Sequence, residues 1–258
     1  MMQSPDGHDG HPESQESTGQ IPTLQEVLVQ TSLTPGRVLD ANTHRIQAGS
    51  LGAIYLELVR ESFSDPEMRE CYRAFYVNTD GTFTVEPDLD LPPVWGIRSR
   101  VTLEALDVQI IDPTSTDIMR RQNRLVAQVP HPHSRSTLGA PSAKDIFTLL
   151  LSPDSYPEAH TSIGVACLDD WHLLFRGPNS PKLTKQEIDE RIVYWNNEVE
   201  RRVKARTPRG MSREDQKAIV DEELRNALEH EICPQYGIRW FRYQYEPHHT
   251  QRVFEEVV

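Results

Sequence analysis

The sequence predicts an α/β domain in which helices flank a mixed β-sheet, with extra helices near the C-terminus. Three observations carry this. Segments of helical and of β character alternate, in the order helix, hairpin, strands, helix, strands. Two long amphipathic helical segments then follow in the last third. The chain closes on "GIRWFRYQYEP", which alternates aromatic and basic residues as a strand does, and no internal repeat is visible.

The elements follow in chain order. Residues 1–23 are polar, rich in Gly, Pro and Ser, and poor in large apolar side chains, so they are expected to form a disordered tail. The tail lacks the basic end and apolar run of a signal peptide. "GSLGAIYLELVRESF" places Leu51, Ile54, Tyr55 and Leu58 at helical spacing behind Ser50, and Asp65-Pro66 should end that helix. "RECYRAFYV" reads as a strand, and "NTDG" (78–81) turns it back into "TFTV" as a hairpin. Residues 87–93 form a loop, and residues 100–112 fit either strand or helix. "RLVAQV" (124–129) is a short apolar strand, and "AHTSIGVACLDDWHLLFRG" reads as two strands joined at Asp169-Asp170. In the first late helix Ile188, Ile192, Trp195, Val199 and Val203 recur at spacings of four, three, four and four. "TPRGM" breaks it before the second helix, "SREDQKAIVDEELRNALEHEI". The pair should cap the domain, with a partner face or an oligomer contact through Trp195 as alternatives.

Composition narrows the function classes. A net charge of −12 argues against nucleic acid as a partner, since phosphate binding needs concentrated positive surface. The local group Arg201, Arg202, Lys204, Arg206 and Arg209 reads as a solvated helix face and polar linker. No stretch approaches the ~20 apolar residues of a membrane span. Cys71, Cys167 and Cys233 are widely separated, odd in number and without a CxxC, which fits free thiols in a reducing compartment. A soluble, intracellular protein of cytoplasm or nucleus is expected.

One stretch carries chemistry: "VPHPHSRSTLGAPSAKDIFTLL", residues 129–150. Residues two apart on a strand share a face, so His131 and His133 can reach one ion together. Pro130 and Pro132 place the pair at a strand end or edge, where a site open to solvent would sit. Such pairs are not rare: with 10 histidines in 258 residues, chance alone predicts about 0.4 of them. Ser142-x-x-Asp145 also resembles a capping box, although the fourth position there is usually Glu or Gln. A carboxylate at a helix N-terminus can nonetheless point at a strand end. Two histidines and one aspartate are a donor set of catalytic zinc, with the fourth position left to water. Such a site needs a further carboxylate to take that water's proton.

The order Glu, then His-x-His, then Ser-x-x-Asp resembles the JAB/MPN (JAMM) family of zinc metalloproteases. Its motif is an upstream Glu opening a strand after the first long helix, followed by H-x-H-P-(x)-S-x-x-D. Glu70 occupies that place, 61 residues before His131, whereas Glu57 and Glu61 lie within the helix and read as its solvent face. The sequence departs from the pattern in three places. Ser134 stands where proline usually follows the second histidine, one extra residue separates His133 from Ser142, and Arg73 replaces a frequent glycine. The resemblance implies an MPN-like (cytidine-deaminase-like) core over residues 24–178, with 179–258 as a helical extension and closing strand. It implies Zn²⁺ held by His131, His133 and Asp145, Glu70 as general base and Ser142 as oxyanion donor. The implied reaction is hydrolysis of an amide or isopeptide bond in a protein or peptide substrate, often one carrying a ubiquitin-like modifier. The alternative is a catalytically silent MPN-like scaffold. Elsewhere, "CLDDWH" offers Cys167, Asp169, Asp170 and His172 as a thiol and base, though Cys167 reads first as a buried strand residue. His8, His11, His248 and His249 read as polar-tail residues, and His230 sits near a helix end.

Overall fold

A computed structural model describes residues 20–66, 70–95, 124–133, 139–152, 160–167, 170–245 and 251–257. Most of the expected N-terminal tail and residues 100–112 lie outside the described residues, as do Asp169, His248 and His249. At the tail's end Thr23 is placed, capping helix α1 (Leu24–Leu33) reciprocally with Glu26. Leu24, Val27 and Leu28 of that helix are buried. Helix α2 (Leu51–Ser64) ends at Asp65, as the following proline requires.

Strand β1 (Arg45–Gln47) lies between these two helices, and β2 (Cys71–Tyr72), β3 (Ala74–Asn78), β4 (Phe83–Glu86), β5 (Val94–Trp95), β6 (Arg124–Gln128) and β7 (His131–Pro132) follow α2. They are followed by helix α3 (Ala143–Thr148), then β8 (Ser162–Ala166) and β9 (Asp170–Arg176). The last third supplies α4 (Lys185–Arg206), α5 (Arg213–Ala227), a π-turn over Leu228–Ile232, α6 (Cys233–Tyr236), β10 (Ile238–Gln244) and β11 (Val253–Glu256). The expected hairpin forms: β3 pairs with β4 antiparallel, and Gly81 takes the left-handed backbone (φ 84°) that its turn requires.

The main sheet has six strands in the order β1-β11-β10-β9-β8-β7, antiparallel except for the parallel β7–β8 pair. A three-stranded sheet, β4-β3-β6, adjoins it through the continuous stretch 124–133, and β2 pairs with β5. Strand β10 pairs with β9 along its whole length, so the chain beyond 178 is woven into the same sheet as the chain before it. Successive residues of β9 alternate between two cores. Trp171, Leu173 and Phe175 pack with α1 and α2 on one face, while Leu174 packs with α3, α4 and α5 on the other. The result is a mixed β-sheet flanked by helices on both faces, with extra C-terminal helices covering one of them.

Three local findings refine the sequence expectations. Arg73 is fully buried; its guanidinium grips both carboxylate oxygens of Glu57 and donates to the carbonyls of Pro87, Asp88 and Leu91. Glu57 is therefore not simply solvent face, because it neutralises an arginine that pins the 87–91 loop. Trp195 is buried in the core beneath α4, and it is Val193 and Tyr194 that face outward. Arg201, Arg202, Lys204 and Arg206 each pair with a glutamate of the same two helices or the turn that follows them, which disperses the local basic group. No helix among the described residues is long and apolar enough to cross a membrane.

Candidate metal centre

The two sheets meet at residues 124–133, and the histidines sit there. Strand β6 pairs with β3, the chain passes Pro130, and β7 turns to pair with β8, His131 opposite Val165 and Pro132 opposite Ala166. Pro132 lies on the edge strand of its sheet, where a missing N–H is tolerated. The backbone N–H of His133 extends the ladder by donating to Ala166 O at 3.0 Å. Beneath this junction Tyr55 Oη donates to Gln128 Oε1 (2.6 Å), and Gln128 Nε2 donates to Ser162 Oγ (2.8 Å). Gly164 leaves the room for that chain of hydrogen bonds: a Cβ there would stand 2.0 Å from Tyr55 Oη.

Both imidazoles face the same way, with ring centroids 5.5 Å apart, and each residue is only 5% exposed. The expected solvent-open strand end is thus a buried one. His131 Nδ1 lies 3.1 Å from Val129 O, which can only accept, so that nitrogen carries the proton and Nε2 presents its lone pair inward. His131 Nε2 is buried without a hydrogen bond among the described residues.

Helix α3 brings the third group. Ser142 is its N-cap and Asp145 its third residue, forming a capping box with Asp in place of Glu. The backbone N–H of Ser142 donates to Asp145 Oδ2 at 2.7 Å and its hydroxyl donates to the same oxygen at 2.6 Å, while Asp145 N donates back to Ser142 Oγ at 3.2 Å. So held, Asp145 places Oδ1 3.3 Å from His131 Nε2 and Oδ2 3.5 Å from His133 Nε2. The capping and ligand readings of Asp145 therefore coexist.

These distances test whether the residues fit a metal. They exceed the roughly 2.7–2.9 Å of a charge-assisted hydrogen bond. Two donors each about 2.0–2.1 Å from a tetrahedral ion stand roughly 3.3–3.4 Å apart. One donor atom from each of His131, His133 and Asp145 lies within 4.8 Å of the other two. A buried lone pair facing a carboxylate needs a proton or a cation between them, so the donor set fits. Without a cation the site keeps protons instead. Burial pulls His131 and His133 down, but Asp145 outweighs it: His131 ends raised and His133 well above the ordinary imidazole range. Burial pushes Asp145 up, but the two histidines hold it well below the usual carboxylate range.

Glu70 is buried just before β2, which packs on β7, and its charge raises both imidazoles. Ser142 touches the centre through its two hydrogen bonds to Asp145, whereas Glu70 is felt there through its charge. Ser142's hydroxyl spends its proton on Asp145, so to meet an oxyanion it must exchange that bond.

Two neighbours were not expected. Cys167 is buried one residue beyond Ala166, whose carbonyl accepts the His133 backbone N–H; burial raises the Cys167 thiol's pKa and His133 opposes that rise. His172 is fully enclosed, accepts the Trp240 indole N–H at 3.2 Å, and is pushed down to about 3 by burial and by Arg225 and Arg242. His160 is also buried, near enough for His131 to help burial push it down to about 4. Sequence spacing carries no signal for either neighbour, because the β8 register and the fold place them.

Fold and site together define an α/β protein with a buried two-histidine, one-aspartate centre of metal-ligand type. Comparison with protein-family models, with curated proteins and with solved structures returns no match to this chain.

Proposed function

We propose that the chain is a zinc-dependent hydrolase of amide or isopeptide bonds, with a centre that resembles that of the JAB/MPN metalloproteases. The observation that carries the reading is the convergence of two histidines and Asp145 at ligand spacing, two of them from a strand junction and one from a helix N-terminus. His131, His133 and Asp145 would hold Zn²⁺, which when bound lowers the pKa of water toward ~7 and polarises a carbonyl.

This chain's residues supply the rest. Glu70 accepts the proton of the attacking water and delivers it to the leaving amine as the C–N bond breaks. Ser142 turns its hydroxyl from Asp145 to the developing oxyanion, a contribution of about 3 kcal/mol by analogy with other such donors. Val129 O fixes the His131 tautomer and Ser142 fixes the Asp145 rotamer, so both donors are oriented before any ligand arrives. The substrate class implied is a protein or peptide, including conjugates of a ubiquitin-like modifier. The three free, buried cysteines fit a reducing compartment, cytoplasm or nucleus.

A second reading, a silent MPN-like scaffold, is favoured by one observation: the Ser142 hydroxyl is already engaged in its capping box. Metal content of the purified protein by mass spectrometry tests both. About one zinc per chain, lost in His133→Ala and Asp145→Ala, supports the hydrolase and justifies an isopeptide screen with Glu70→Gln as the inactive control. Absence of zinc after supplementation refutes it and leaves the scaffold.

A further inference from the structure

We infer that Asp221 and Arg225 of helix α5 are positioning residues for the metal centre: they clamp the Gly139 peptide and so fix the loop that delivers Ser142 and Asp145 to the histidines. The inference rests on the metal reading above and assigns a part in it to the C-terminal helices.

The loop between His133 and Ser142 is where the sequence departs most from the JAB/MPN pattern. Near its end the structure holds it tightly. Gly139 N–H donates to Asp221 Oδ1 at 2.7 Å, and Gly139 C=O accepts from Arg225 Nη2 at 3.1 Å. The two side chains are four apart on one helix face, so a single turn of α5 grips both polar atoms of one residue. A side chain at 139 would crowd the grip, since a Cβ would stand 2.9 Å from Asp221 Oδ2, which would have to shift. Glycine at 139 leaves both side chains free to keep this grip.

The clamp is itself anchored. Arg225 Nη2 lies 3.0 Å from Asp170 Oδ2, and Arg242 on β10 donates to both Asp170 oxygens at 3.0 and 2.8 Å. Asp170 is buried at the head of β9, and its carbonyl accepts from Cys167 N at 2.8 Å. Cys167 directly follows Ala166, whose carbonyl accepts the His133 N–H at 3.0 Å. The network therefore ties the two sides of the centre together, the 139–145 side through Gly139 and the His133 side through Cys167. From Gly139 only Ala140 and Pro141, both buried, lead to the Ser142 cap, so a shift at the clamp is passed to Asp145 with little slack.

The test measures zinc affinity by chelator competition, alongside the melting temperature of the zinc-free protein, for wild type, Asp221→Ala, Asp221→Asn and Arg225→Gln. Asn226→Ala, exposed on the same helix, is the control. Asp221→Ala is expected to weaken zinc about tenfold, the scale of lost outer-shell partners. Asp221→Asn keeps an acceptor for Gly139 N–H and should recover most of that loss. A merely structural role would lower melting temperature and leave affinity alone. Should Asp221→Ala fail to fold by circular dichroism, Arg225→Gln carries the test, with weakened zinc again expected. Variants that are folded and bind zinc as wild type does overturn the inference while the metal reading stands. Wild-type protein that takes up no zinc overturns both.

Discussion

Zinc binding at this centre should be strongly proton-linked, and the size of the linkage follows from the site. Against the pull of burial, Asp145 raises both imidazoles in the zinc-free protein, His133 more than His131 because Cys167 adds to the rise at His133 while His133 opposes it at His131. Both therefore keep their protons to higher pH than a free imidazole does, while Asp145, depressed by the same pair, stays ionised. A metal needs both Nε2 lone pairs, so uptake must expel whatever protons the two imidazoles hold. Since each proton expelled contributes about 1.4 kcal/mol per pH unit, affinity should climb up to about tenfold per pH unit for each imidazole that still holds its proton. It should flatten once pH exceeds the raised imidazole values.

The sign for zinc-free stability is opposite. A raised folded-state pKa stabilises below the unfolded value near 6.5, and that stability is lost as pH rises through the folded value. The zinc-free protein should thus weaken above neutrality, while the zinc-loaded protein strengthens over the same range. Isothermal titration at pH 6.5 in two buffers of different ionisation enthalpy counts the protons directly. Release of fewer than about half a proton per zinc would refute the argument, because it would mean that the imidazoles are not the ligands or are not held by Asp145.

Two substitutions probe the scaffold around the site. Gly164→Ala forces a Cβ onto the Tyr55–Gln128 hydrogen bond and should cost about 1–3 kcal/mol in urea unfolding, the range of overpacked cores; a neutral result would show that the bond is dispensable. Ser142→Ala removes both the α3 cap and one hydrogen bond to Asp145, so about 1 kcal/mol of stability should be lost and zinc bound roughly tenfold more weakly; threonine should restore both, and unchanged zinc affinity would show that Asp145 orients itself.

Much of this molecule is written locally. The helix at Leu51–Ser64, the hairpin across Gly81, the β8–β9 pair and the long helix behind the Thr184 capping box follow from periodicity, caps and turn residues within a dozen positions. Helix α1 had a local signal too, Thr23-x-x-Glu26, but it stands against the polar tail that composition suggests. The three candidate ligands were legible because strand geometry puts His131 and His133 on one face and a helix cap aims Asp145. What local pattern cannot supply is partner choice. Strand β10 finds β9 across more than sixty residues, and that pairing brings Arg242 to Asp170. Ala166 finds His133 through a parallel register, and Cys167 comes with it.

The same limit explains the loop. Read alone, "SRSTLGAP" is an insertion whose glycine and proline are turn residues. In the fold its glycine is the point at which a helix from the far end of the chain takes hold, 82 positions away. A departure from a motif can be absorbed when the lost local constraint is replaced by a distant one, and here two charged side chains four residues apart provide it. The residues that decide whether the centre keeps its shape are then to be sought in α5 as much as in the motif.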